Sequence, residues 1–238
     1  MISISDFQTS SMQATIFTPG LSFMPQEILT HVLQKWGEKF DDAPISIPSP
    51  AGMPPEIPRI ILQSLNHQFK VEFSPARVNS FWLLVDEKDY YPFQDFFNFS
   101  EKLLCDYRNL VKGRVGRIAS VINRFVKLKN SAKFLAERFC KKKWINKPLD
   151  DLEGFEIHSH KRYKLAKIYS VNSWIRFKTG FIGERAKNER ILIAQQDINT
   201  LNEEIETNNY SNEQIRNFLK KTINEFDSIL SFYFPPET

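Results

Sequence analysis

The chain has 238 residues, 42% hydrophobic and 25% charged, and a formal net charge of +4. That composition excludes collagen-like, intrinsically disordered and disulfide-scaffold proteins, and it allows one large domain or two small lobes. The longest uncharged apolar run, residues 81–85, falls far short of the roughly 18 residues a membrane helix needs.

Residues 1–17 hold no basic cluster followed by an apolar segment, so no signal peptide is expected. Residues 25–40 read as an amphipathic helix. Pro25 suits its first turn, and Ile28, Leu29, Val32, Leu33, Trp36 and Phe40 form one apolar stripe. Six prolines between 44 and 58 then impose a loop over residues 41–58. A loop that long in a folded domain is a reasonable docking element. Strands are predicted at 59–65, 69–73 and 77–85, the last apolar on both faces toward its end and therefore central. Residues 86–89 form an exposed turn, and a helix begins near Pro92 on the stripe Phe93, Phe96, Phe97, Leu103, Leu104, Tyr107 and Val111. Residues 114–126 alternate as a strand, with Ile118 and Ile122 on one face.

Ser131 opens a short helix on Phe134, Leu135 and Phe139. A three-strand meander is expected over 154–165, 167–181 and 190–200. Ser211 and Gln214 make a capping box before a final helix carrying Ile215, Phe218, Leu219, Phe226, Ile229 and Leu230 on one face. The elements add up to an α+β fold: antiparallel sheet, in one piece or two, with long amphipathic helices packed on one face. The halves read as an N-terminal lobe over 1–128 and a C-terminal lobe over 129–238, or as one continuous domain. Val78-Asn79-Ser80 recurs as Val171-Asn172-Ser173, which suggests an internal repeat.

Charge is unevenly distributed. Residues 1–111 hold 8 basic and 13 acidic side chains, 112–147 hold 12 basic and one acid (Glu137), and 161–190 hold 9 basic and 2 acidic. A cationic middle between anionic ends fits a polyanionic partner, and equally fits basic strands lying beside acidic helices of the same molecule.

The order of features resembles a sporadically distributed, uncharacterised prokaryotic protein family. The resemblance rests on Pro58-Arg59-Ile60-Ile61-Leu62 after the proline-rich loop, the strand 69–73, and the aromatic strand with Asn79, Ser80, Phe81 and Trp82. Tyr91-Pro92 before a helix, Val121-Ile122-Asn123-Arg124, and Asp197-Ile198-Asn199-Thr200 before the last helix complete it. It implies no activity; the family's patchy occurrence implies a mobile or defence-related setting.

Serine-hydrolase elbows, phosphate loops and zinc ribbons are absent, and only 8 glycines argue against nucleotide-binding loops. The strongest lead is the basic segment. Arg114, Arg117, Arg124, Lys127, Lys129, Lys133, Arg138, Lys141, Lys142 and Lys143 would neutralise phosphates, with Trp144 beside them to stack on a base. Glu156, His158 and His160 share one strand face and could begin a metal site, although a solvated face that also carries Arg162 explains them as well. Cys140 precedes three lysines that could activate its thiol; Cys105 sits at the edge of an apolar helix face. The two cysteines lack ligand spacing and fit a reduced, cytoplasmic protein. The expected function is a non-catalytic binding or adaptor protein engaging nucleic acid or a protein of its own locus through the basic centre, without a cofactor or membrane. The alternative is an enzyme with a dispersed, metal-dependent site around Glu156, His158 and His160.

Overall fold

Strands whose alternate residues are apolar must bury one face and leave the other polar. In the computed structural model, which describes residues 2–48, 50, 52–145, 147–183 and 189–236, nine such strands form a single antiparallel sheet. In chain order the elements are β1 (Gln8–Phe17), α1 (Pro25–Trp36), β2 (Ile45–Ser46), β3 (Ile60–Gln63), β4 (Phe69–Phe73), β5 (Arg77–Leu83) and α2 (Phe93–Val111). There follow β6 (Arg117–Lys127), α3 (Ser131–Phe139), α4 (Lys142–Ile145), β7 (Glu156–Leu165), β8 (Tyr169–Ile182), β9 (Glu189–Thr200) and α5 (Asn212–Tyr233). The strand order is β2-β3-β4-β5-β1-β6-β9-β8-β7. Outward from the central β1–β6 pair, β5-β4-β3 on one side mirrors β9-β8-β7 on the other.

The buried face is continuous. Met12, Ala14 and Ile16 of β1 lie in register with Trp82, Ser80 and Val78 of β5 and with Ile122, Ser120 and Ile118 of β6, and all are buried. Across β9 and β8 the same face continues through Ile198, Ala194, Leu192, Ser173, Ile175 and Phe177. Helix α2 covers β1 and β5, α5 covers β6, and α3 covers β8 and β9. Polar contacts hold the helices in place: Ser80 and Ser100 share a hydrogen bond of 2.9 Å, Thr222 donates to Ser120 at 3.2 Å, and Gln196 Nε2 donates to the Phe226 carbonyl at 2.8 Å. The hydroxyls and the Gln196 Nε2 are thereby satisfied away from water, while the buried Gln196 Oε1 has no hydrogen-bond partner among the described residues.

The helices form where the apolar spacing places them. Ile28 and Val32 are the buried stripe of α1, which stops at Trp36 and not at residue 40. Helix α2 buries Phe96, Phe97, Ser100, Leu103, Leu104 and Tyr107, three or four residues apart. The capping box of α5 is present: the Ser211 hydroxyl accepts from the Gln214 N–H at 3.2 Å, and Gln214 Oε1 accepts from the Ser211 N–H at 2.8 Å. A second aromatic cluster gathers about Phe177, whose ring centroid lies 5.5 Å from Phe139, 5.1 Å from Tyr233 and 5.3 Å from Phe234.

Three sequence expectations change. Residues 1–17, to which no element was assigned, contain the central strand β1. The proline-rich loop yields a two-residue strand, β2, because Ile45 and Ser46 pair with Ile61 and Ile60. The Val-Asn-Ser repeat falls on β5 and β8, which occupy unlike places in the mirrored strand order, so it does not mark equivalent strands.

Ser211→Ala is expected to lower stability by about 1 kcal/mol through the lost cap. Phe177→Ala, which empties the junction of β8, α3 and α5, is expected to cost about 3–5 kcal/mol. Urea unfolding of the two variants beside the parent checks both the values and their order.

Candidate functional site

Strand alternation and two helix turns disperse the basic segment 112–147. Arg114 pairs with Glu206 at 2.6 Å. Arg117 donates to Asn199 Oδ1 at 2.7 Å and to the Thr200 carbonyl at 3.1 Å, lies over the Phe17 ring, and is lowered in pKa chiefly by burial. Arg124 projects to the helix-covered face, where its guanidinium is 4% exposed, 2.7 Å from Asp227 and over the Phe93 ring. Lys127 is held by Glu87 at 2.7 Å and Glu189 at 2.6 Å, which raise its pKa. Lys129 and Lys133 line a cleft of about 790 Å³ opposite Asp150, Asp151 and Glu153. Arg138 donates to the Tyr233 carbonyl and covers the Phe234 ring. Lys142, Lys143 and the exposed Trp144 form α4, and Lys141 Nζ lies 5.9 Å from the Trp144 ring. Arg114, Arg117, Arg124, Lys127 and Arg138 are thus engaged within the molecule, Lys133 pairs with Glu137 at 4.0 Å, and Lys141, Lys142 and Lys143 lie at the α3–α4 corner.

Glu156, His158 and His160 do share one face of β7, in register with Lys178, Arg176 and Trp174 of β8. Glu156 is paired with Arg176 at 3.0 Å. The His160 ring lies flat on Trp174, centroids 4.0 Å apart and planes 9° apart, while its Nε2–H donates to Asn172 Oδ1 at 3.0 Å. Among the described residues no three His, Cys, Asp or Glu side chains gather as metal ligands would. Cys105 is buried and its thiol is pushed up to about 11 by burial and by Glu101, which suppresses the thiolate. Cys140 is half-buried at the end of α3.

The face opposite the helices holds what sequence reasoning passed over. Near its centre the same polar arrangement occurs twice. On one side the Thr15 hydroxyl donates to Asn79 Oδ1 at 2.9 Å, and Asn79 Nδ2 donates to Glu72 at 3.2 Å. On the other, Arg117 donates to Asn199 Oδ1, and Asn199 Nδ2 donates to Asp197 at 2.8 Å. Asn79 and Asn199 are almost fully buried, and they lie on β5 and β9, which mirror one another. Farther out, at β7 and β8, the face becomes cationic and exposed. Of its ten side chains there, four are Arg162, Lys164, Arg176 and Lys178, two are His158 and His160, and one is the carboxylate Glu156. Trp174 stands among them, 37% exposed. The spacing His158, His160, Arg162, Lys164 was visible in the sequence. The cross-strand partners Trp174, Arg176 and Lys178 required the register of the hairpin.

No family model, curated protein or solved structure matches this chain.

Burial raises the Asp197 carboxyl above its ordinary pKa, against the opposing effects of Asn199 and Arg117. A raised carboxyl binds its proton more tightly folded than unfolded. Its stabilising contribution is therefore full below the unfolded pKa and lost as pH rises through the folded value. Asp197→Asn, which keeps the acceptor for Asn199, is expected to be at least as stable as the parent at pH 7 and to lose that advantage below about pH 4. Urea midpoints measured at pH 3.5 and pH 7 decide this.

Proposed function

We propose that the protein is a non-catalytic binding module that engages nucleic acid through the helix-free face of its sheet, at β7 and β8. One observation carries the reading: four fixed cations and two histidines share ten neighbouring positions with a single carboxylate, and that carboxylate is already paired with Arg176. Net positive charge on an exposed strand pair attracts phosphates and gains from counterion release. The only other neutralising carboxylate in direct contact, among the described residues, is Glu203, 2.7 Å from Arg162. Both of its members are more than half exposed, so the pair is cheap to exchange for a phosphate. The cleft at the α3–α4 corner is charge-balanced, with Lys129 and Lys133 sharing its lining with Asp150, Asp151 and Glu153, and so competes less for phosphate. The resemblance to a sporadic prokaryotic family adds a mobile or defence-related setting to this proposal, and the two cysteines without ligand spacing add a cytoplasmic one. The shared connectivity on either side of the β1–β6 junction supports two halves of related build, but β6 (Arg117–Lys127) then goes with β7–β9, so their boundary falls between α2 and β6 and not between residues 128 and 129.

Fluorescence anisotropy of a labelled 15-nucleotide DNA or RNA, between 50 and 200 mM salt, tests the reading. Affinity is expected to fall by orders of magnitude if about six phosphates are contacted, and Arg162→Ala and Lys178→Ala are each expected to reduce the log–log salt slope by about one. Absence of binding at 50 mM salt, or an unchanged slope in both variants, contradicts it. In that case a protein partner of the same locus becomes the occupant to seek.

A further inference from the structure

We infer that the Trp174–His160 pair is a stacking platform for an unpaired base, so that the ligand of this face is single-stranded nucleic acid. The inference rests on the proposal that β7 and β8 are the nucleic-acid surface, and it deepens that proposal by naming the ligand class.

Trp174 sits in the middle of a strand whose neighbours in sequence, Ser173 and Ile175, are buried under the helices. Its own ring projects from the other face and is left partly open to water. Several large apolar side chains of the chain are as exposed as Trp174 or more so; what sets Trp174 apart is its place among cations and beside a second ring. The ring is also pre-oriented. His160, directly across the β7–β8 ladder, lies parallel to it at 4.0 Å. The His160 ring is in turn fixed by its hydrogen bond to Asn172 at 3.0 Å. The His158 centroid is 6.1 Å from Trp174, so aromatic surface continues along β7. Two flat rings held parallel present a π-face at little further cost in conformational freedom, and a base can extend the stack.

The charges lie where a backbone beside that base would run. Arg176 and Arg162 are two residues away along β8 and β7, on the same face, about 7 Å from the stacked pair by strand geometry. Lys178 and Lys164 stand one step beyond at either end, giving a line of cations that brackets the platform. In a duplex both faces of each base are covered by neighbours, so only an unpaired base has a face to offer. Cations on both sides of the aromatic pair match a strand that carries a negative charge beside every base.

A cross-strand aromatic pair also stabilises a hairpin, so the experiment must separate stacking from folding. Oligo(dT) of 15 nucleotides, a 15-base-pair duplex and inorganic polyphosphate are titrated against the parent, Trp174→Ala and Trp174→Phe, with urea midpoints recorded for each protein. Expected are a preference of the parent for the single strand over the duplex and a loss of about 5–150-fold in oligo(dT) affinity on Trp174→Ala. Trp174→Phe should retain most of the affinity, and polyphosphate binding should be the same in all three proteins. Equal or tighter binding of the duplex overturns the inference, as does an unchanged oligo(dT) affinity in Trp174→Ala. Parallel loss of oligo(dT) and polyphosphate binding, tracking a lowered urea midpoint, also overturns it by assigning Trp174 a structural role alone. If the parent binds oligo(dT) and the duplex no better than the limit set by polyphosphate-free buffer, the parent proposal itself fails. That result is distinct from loss of the stacking step.

Discussion

Every helix that covers the sheet lies on one side of it, and this asymmetry governs the rest of the molecule. Side chains in a strand alternate, so burying Met12, Ala14 and Ile16 beneath the helices necessarily turns Gln13 and Thr15 to the other side. The same arithmetic at β8 buries Val171, Ile175 and Phe177 and thereby presents Asn172, Trp174 and Arg176. With each buried large apolar side chain contributing about 1.5–3 kcal/mol, the register has no freedom to slip by one residue. The position of the cationic surface is thus a consequence of core packing on the opposite face.

The uncovered face is not uniform. Toward its middle it is closed by its own hydrogen bonds, with Asn79 accepting from Thr15 and Gln13, Asn199 accepting from Arg117, and each donating to a carboxylate. These amides have their partners within the sheet and little exposure, so they hold strands together and offer a ligand little. At β7 the sheet ends in a ten-residue strand that is exposed on most of its length. Such an edge invites uncontrolled strand pairing, and a row of Lys, Arg and His blunts it. Charge that protects the edge also makes it receptive to phosphate. On the proposed function, one set of residues would both protect the edge and recognise the ligand.

Much of this was legible in the sequence. The helical stripes of α1, α2 and α5, the Ser211 capping box, the strands at 59–65 and 69–73 and the meander of β7 to β9 all follow from spacing and local chemistry, because in each the residues that decide the structure are close in sequence. Strand β1 escaped because its helix-side positions are a Met, an Ala and an Ile separated by Gln and Thr, a faint alternation that only the flanking strands make decisive. The basic run 112–147 misled for a related reason. Contiguity in a strand sends Arg117 and Arg124 to opposite faces, and acidic side chains distant in sequence, Glu206, Asp227, Glu87 and Glu189, meet several of its members. Conversely, the patch at β7 and β8 looks like two unremarkable polar strands until their register sets Trp174 beside His160 and Arg176 beside His158.

The chain's four tryptophans report separately on its surfaces. Trp82 is buried beneath α2, Trp36 is half-buried at the end of α1, Trp144 marks the α3–α4 corner, and Trp174 the helix-free face. Following the four indole N–H resonances by NMR while oligo(dT) is added tests the central claim directly. The account requires a saturable shift of the Trp174 resonance with Trp36 and Trp82 unmoved. A shift confined to Trp144, or four resonances unchanged at saturating oligonucleotide, would contradict it.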